Sequence, residues 1–383
     1  MKQKLKKNYT RGAVRQFNKL LVITVFCFTS SAHAGFIPLD LLDVELKDQS
    51  TYAALGVNVG KRSIVGGNMQ GFVPITIGVG STVGGNIEAG TAVNLGAHTT
   101  VNGYIQAGTT AITGVHSNVG GSIVAGTTAG TGAHSTIGGD VEAGGLYTAG
   151  VQATVSGNIT DQLSSVLGYV PPVVINQKTQ LDAVQATLDQ LGVTEGSTDL
   201  AITFGVTDQT LTAGVYDSED YLSIRAGKTL TLDGQNVDGD FLFNIHNYLN
   251  FAAGSTVALI NFTVNSQVIW NVIGDAVGSS GYAQAAADVS MRGFIFANGF
   301  VNTGDRTKLN GVGNACGGAV SVNDYVLFGD DNVVGDLGCD TAFSAALSLP
   351  APASASLFLF GLSLVGLGLA GTARRKEAYS SNI

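Results

Sequence analysis

The chain has 383 residues, 45% hydrophobic and only 12% charged, with 53 glycines against 6 prolines and a formal net charge of −9. An acidic chain lacks the cationic footprint that nucleic-acid binding needs. The glycine-rich, charge-poor balance fits a turn-rich exported β protein better than a cytosolic enzyme.

Lys2, Lys4, Lys6, Lys7, Arg11, Arg15 and Lys19 form a basic leader, Leu20 to Phe28 an apolar run, and Ala32-His33-Ala34 a small-residue cleavage pattern. Together they read as a signal peptide over 1–34, with the mature chain starting at Gly35. Without the seven leader cations, 12 Lys and Arg face 28 Asp and Glu, a net charge of −16. No Lys or Arg stands between Arg62 and Lys178. Cys27 leaves with the leader. Cys316 and Cys339 remain, either as a disulfide pair in an oxidising compartment or as two buried thiols.

An entry segment and an imperfect first coil occupy 35–62. From Ser63 the chain repeats every 18 residues, with copies starting at Ser63, Ser81, Thr99, Ser117, Ser135 and Ala153. Glycines beat every six residues within the copies, as at 78, 84, 90 and 96 and from 108 to 150. A fixed short period means a solenoid in which each copy is one coil. Three six-residue sides per coil predict a mainly β fold, a parallel β-helix, with regular coils over 63–170. Alternation along strands puts three columns inside. They are Val65, Val83, Val101, Val119, Ile137 and Val155; Met69, Ile87, Ile105, Ile123, Val141 and Ile159; and the narrower Ala89, Ala107, Ala125 and Ala143.

The pattern stops at Pro171-Pro172. Within a connection over 171–198, Leu181, Val184, Leu188 and Leu191 share one stripe and predict a helix from Gln177 to Leu191. Asn176 is its expected N-cap and Gly192 its C′ residue. This one α-helix is expected to pack alongside the solenoid. Over 199–340 strand patterns resume as irregular coils, in LTLDG, DFLFNI, STVALINF, QVIWNVIG and RGFIFANG. A longer excursion is expected over 278–287. The C-terminal 341–383 reads as a linker and tail: Pro350-Ala351-Pro352, an apolar run over 357–373 long enough for a membrane span, then Arg374, Arg375 and Lys376.

Two resemblances bear on function. Gly214-Val215-Tyr216, Leu230 to Gly234, Asp240 to Ile245, Ala253 to Asn261 and Val268 to Val272 resemble the ice-binding-like family of secreted β-solenoids. That resemblance implies an irregular β-helix with a helix alongside and adsorption to ice by one flat side. The family's usual opening is absent, and the regular coils stand in its place. The GGN-type coils and the tail are also similar to the choice-of-anchor A group. The tail resembles a PEP-CTERM sorting signal, with Ala351 where the motif has Glu. It implies a Gram-negative bacterium, transient inner-membrane anchoring, processing by an exosortase-type enzyme, and a secreted or cell-surface product.

Candidate sites follow from the ladders. Thr82, Thr100, Thr136 and Thr154 share a column broken by Asn118; Thr91, Thr109 and Thr127 share another, with Thr110 and Thr128 beside it. Regular hydroxyls and methyls on a flat, uncharged side are what an ice-ordering surface needs, and threonine also suits outward strand positions generally. His98, His116 and His134 recur at one coil position, as a metal or pH site or as a repeated corner residue. Asp233, Asn236, Asp238 and Asp240, and Asp330, Asp331 and Asn332, form oxygen-rich turns that fit no calcium-binding spacing. No G-x-S-x-G, H-E-x-x-H or P-loop occurs, so neither catalysis nor a cofactor is expected. The leading expectation is an exported solenoid that binds ice, acting as an antifreeze or recrystallisation inhibitor. The alternative is a structural or adhesive matrix protein that binds polysaccharide or copies of itself.

Overall fold

The computed structural model describes residues 49–166, 172–191, 208–274, 281–313 and 315–335, with helix side chains from 179 onward. The expected signal peptide over 1–34, the 357–373 run, the tail residues Pro350, Pro352, Arg374 and Arg375, and Cys339 lie outside the described residues.

The 18-residue period builds a three-sided solenoid. One coil runs through Ile87–Ala89, Val93–Leu95 and Thr100–Val101 before returning to Ile105–Ala107 above its start. Ile105 pairs with Ile87 and Ala107 with Ala89, a register step of one repeat. The sides stack into three parallel sheets of 12, 11 and 12 strands, called here faces A, B and C. The three predicted columns point inward and are buried, except where the last coil ends at Val155 and Ile159. A further inward column on face B escapes the repeat pattern: Val57, Ile75, Val93, Ala111, Ala129 and Tyr147. Its members run from Val and Ile to Ala and end in Tyr, so no single residue type marks the column.

Two corner devices hold successive coils. Where faces C and A meet, Asn68 Oδ1 accepts from Asn86 N at 2.8 Å, and Asn86 Oδ1 from Tyr104 N at 3.0 Å. Ser122 Oγ and Asp140 Oδ1 repeat the bond two and three coils beyond Asn86. Each side-chain oxygen satisfies a backbone N–H of the next coil that the turn leaves unpaired. Where faces B and C meet, Arg62, His98, His116, His134 and Gln152 all adopt φ of 55–58°.

The order of the coils departs from the order of the chain. Gln49–Ala53 lies mid-sheet on face A, between Asn68–Gly71 and Gly318–Ser321. From this coil the regular repeats wind to one end. The chain then returns through the helix and re-enters at the opposite end with Gln209–Thr212, from which it winds back to the middle. The last coil closes on the first, with Val333 beside Ile64 and Tyr325 beside Gly56. Arg62 donates two bonds to Asp331 at 2.6 and 2.7 Å across this junction. Lys61 N donates to Asp330 Oδ1 at 2.8 Å.

The helix, α1, spans Pro172–Asp189. It begins one turn before the expected Gln177, so Asn176 lies within it rather than capping it. Proline suits a first helical turn, where its missing N–H is not needed; read only as a breaker, it hid the start. Gly192 lies outside the described residues. Leu181, Val184 and Leu188 pack on Tyr52, Leu242, Ile269, Phe294, Phe296 and Val320, with Leu191 at the margin. Those partners point outward from face A, so the strands beneath the helix are buried on both sides. Such strands read as near-continuous apolar runs, as in Phe241–Ile245 and Val268–Val272, each broken by one Asn, and Phe294–Ala297. The stretch expected as an excursion over 278–287 contains the strand Tyr282–Ala285 on face B; its alternating Tyr-Ala-Gln-Ala is too weakly apolar to read as one. Cys316 is disulfide-bonded and buried beside this cluster, and its expected partner Cys339 lies outside the described residues.

Candidate functional site

The threonine columns fall in different places. Thr82, Thr100, Asn118, Thr136 and Thr154 register directly with one another and point outward on face C. Neighbouring strands stand about 4.8 Å apart, so one hydroxyl and one methyl recur at that spacing. The positions two residues on are Gly84, Asn102, Gly120, Gly138 and Ser156, mostly glycine, and a Cβ on Gly84, Gly120 or Gly138 would meet the carbonyl of the neighbouring coil. At the far end of face C the same column resumes as Thr229, Thr256 and Ser290. Lys308, Val333 and Ile64 separate the two stretches.

Thr91, Thr109 and Thr127 instead line the corner between faces A and B, and this corrects the expectation of a second column on the flat side. Their backbones stack, Thr109 N donating to Thr91 O and Thr127 N to Thr109 O, both at 2.7 Å. Thr127 spends its hydroxyl on Thr109 O at 2.9 Å, and Thr91 Oγ1 is buried. Thr110 and Thr128, which pair on face B, point outward with Thr76, Ile112 and Thr148. Face B thus offers two outward positions per coil, more varied than the face C row.

Charge is nearly absent from both faces in this half. Glu88 belongs to face A, where it is buried and accepts from Gln70 Nε2 at 3.0 Å and from the Tyr104 hydroxyl. Glu142 lies outward on face A, and Asp140 is engaged at the corner.

The histidines form a stack. Ring centroids are 5.1 Å apart from His98 to His116 and 4.8 Å from His116 to His134, with planes within 12°. Nitrogen lone pairs lie in the ring plane, so parallel rings do not converge on a metal between them. A left-handed corner explains the residue, since His is enriched among non-glycine residues that tolerate positive φ. The acidic turns bond to the neighbouring coil. Asp233 accepts from Gln235 N and Asn261 Nδ2, and Asp240 from Gln267 N. Hydrogen bonds from Thr263 and Asn265 hold the Asp238 carboxyl below its usual range. Asn332 bonds Thr307 N and Thr303 Oγ1. Among the described residues no group of three His, Cys, Asp or Glu is placed to hold a metal, and no helix is long and apolar enough to cross a membrane.

A family model described as Ice-binding-like matches residues 113–327. Among solved structures, an ice-binding protein from an Antarctic biological consortium is 12% identical, with 80% of this chain and 92% of that one covered and a TM-score of 0.43. The ice-binding protein of the Antarctic ascomycete Antarctomyces psychrotrophicus is 15% identical, covering 76% and 94%, at a TM-score of 0.40. Ice-binding protein 1 of Shewanella frigidimarina is 21% identical, covering 58% and 92%, at 0.33. A search of curated proteins gives no match.

Proposed function

The chain belongs to the ice-binding-like family, and on that footing we propose that it adsorbs to ice and restrains crystal growth through face C of its regular half. The family match carries the reading. The threonine row Thr82, Thr100, Thr136 and Thr154 supports assigning it to face C, because a charge-free row at fixed spacing on a rigid sheet orders water without competing ionic hydration shells. Face C needs only a fixed array; no residue transfers a proton or group.

The chain is read as exported and surface-directed, its leader removed before Gly35 and its tail processed by an exosortase-type enzyme after transient anchoring in a Gram-negative inner membrane. Polysaccharide binding stands as the alternative, with no observation favouring it over ice.

The test is ice recrystallisation inhibition by protein recovered from the culture medium. Its intact mass reports both cleavages. Wild type is expected to inhibit recrystallisation, and Thr100→Tyr to need at least about tenfold more protein, since one bulky ring lifts the flat face off the crystal. Loss through Thr110→Tyr alone would move the site to face B. A folded wild type without effect on ice would reject the reading.

A further inference from the structure

The two ends of the solenoid differ. At the end reached by the regular repeats, the outermost strands are Ile159–Thr160 on face A, Tyr147–Ala149 on face B and Thr154–Val155 on face C. Among the described residues each pairs on one side only. Gln162 and Leu163 donate to Gly145 O and Ala143 O of the coil beneath, and among the described residues no strand pairs with the outer edges.

One core column breaks open there, while Val155 and Tyr147, which end two others, still pack against the core. Ile87, Ile105, Ile123 and Val141 are at most 1% exposed, but Ile159, the next member, is 51% exposed. Two outward apolar residues of the same coil, Leu146 and Val151, add to the exposed surface at 59% and 73%. Unpaired edges are ordinarily blunted by charge or proline. Residues 144–160 contain no Asp, Glu, Lys, Arg or Pro.

At the opposite end Gln209–Thr212, Gly214–Ser218 and Leu222–Ile224 likewise pair on one side only among the described residues, but the inward residues stay buried and the coil is charged. Leu222 and Ile224 of its outermost coil are buried. Asp208, Glu219, Asp220 and Arg225 are exposed on that coil.

We propose that the 144–160 coil is a self-association surface through which two copies of this chain stack end to end. An occupant has to supply strand edges on three sides of a triangle at once, together with an uncharged apolar centre. The matching end of a second copy has this geometry, whereas a single strand or helix would satisfy one side. The far end is charged and keeps its inward residues buried, so it does not match an uncharged apolar centre, and the contact is made between like ends. A contact between like ends is two-fold symmetric and closes at a dimer rather than growing into a fibre. Facing strands in such a pair run antiparallel, one face meeting itself and the other two exchanging. The inference does not depend on whether the protein binds ice.

Sedimentation velocity of the full chain over a concentration series tests it, with circular dichroism confirming a β-rich fold for each variant. Wild type is expected to show a monomer–dimer equilibrium that stops at two. Ile159→Lys and Val151→Lys, which put a charge on the open end, are each expected to raise its Kd at least tenfold. Ile112→Lys, an exposed face B position away from the end, is expected to leave it unchanged. Val151 contributes nothing to the inner columns, so that variant decides if Ile159→Lys fails to fold. A monomer at every concentration, a dimer indifferent to both end variants, or open-ended growth would each overturn the proposal.

Discussion

At the scale of single residues, two kinds of corner position do different work. His98, His116 and His134 occupy a left-handed corner without being glycine, where the imidazole body stacks on its neighbours one coil away. The glycine beat answers a different demand. Gly114 has an ordinary φ, but a Cβ there would lie 2.3 Å from Gly96 O and 2.4 Å from its carbonyl carbon. Coils can approach to strand spacing at this corner only without a side chain. Gly114→Ala should therefore destabilise by about 1–3 kcal/mol, the usual cost of overpacking. At Gly130 the nearest atom to a built Cβ is 3.7 Å away, on Ile112. Gly130→Ala should stay within about 0.5 kcal/mol. Urea unfolding of the two variants separates close approach from composition; equal effects would remove the argument.

At the scale of elements, α1 explains why the second half of the solenoid looks unlike the first. In the regular half, the outward positions of face A are Gln70, Glu88, Gln106, Val124, Glu142 and Thr160, mostly polar. Under the helix the outward positions include Leu242, Ile269, Phe294 and Phe296, and all four are buried. Polar bonds fix the helix lengthwise: Asn244 Nδ2 donates to Leu188 O at 3.0 Å and Gln185 Nε2 to Val272 O at 3.2 Å. Leu188→Ala should cost about 2–5 kcal/mol, because the site is buried and framed by sheet that cannot collapse into the void. The same substitution leaves the face C row intact. Denaturant unfolding should shift while activity on ice at low temperature holds; loss of both together would show that the helix also shapes the binding side.

At the scale of the whole molecule, stability depends on a junction between residues some 269 positions apart. The first coil closes on the last through strand pairing on all three faces. The exposed Arg62–Asp331 pair adds to it, and the neighbouring Arg306–Asp288 pair repeats the geometry at 2.6 and 2.8 Å. Hydrogen bonding to Arg62 holds the Asp331 carboxyl below its usual range. A carboxylate whose folded value is depressed gives its full contribution above the unfolded value, near 3.9, and loses it as pH falls through the folded one. The effect is small because the pair is exposed. Thermal unfolding followed from pH 6 to pH 2 should show wild type losing more of its midpoint than Arg62→Gln, with the difference confined to below about pH 4. Parallel curves would mean that the ion pair adds nothing to the junction.

Much of this protein is written locally. The 18-residue period, the inward Val and Ile columns and the outward row Thr82 to Thr154 follow from sequence, because each coil stacks on the next at fixed spacing and identical residues fall in line. The helix stripe Leu181, Val184 and Leu188 was equally plain, although Pro172 concealed its start. The resemblance around Gly214 to Val272 pointed to the family that the match over 113–327 then showed. Tertiary structure alone decided three things. It set Thr91, Thr109 and Thr127 at a corner, since a period places residues in columns without saying which column is a face. It brought the Tyr104 hydroxyl onto Glu88, a contact between two different repeat columns. It also inserted the first coil between the regular and irregular halves. A repeat encodes only what lies one coil away; which two ends meet is fixed by the return path of the helix and by complementary edges hundreds of residues apart.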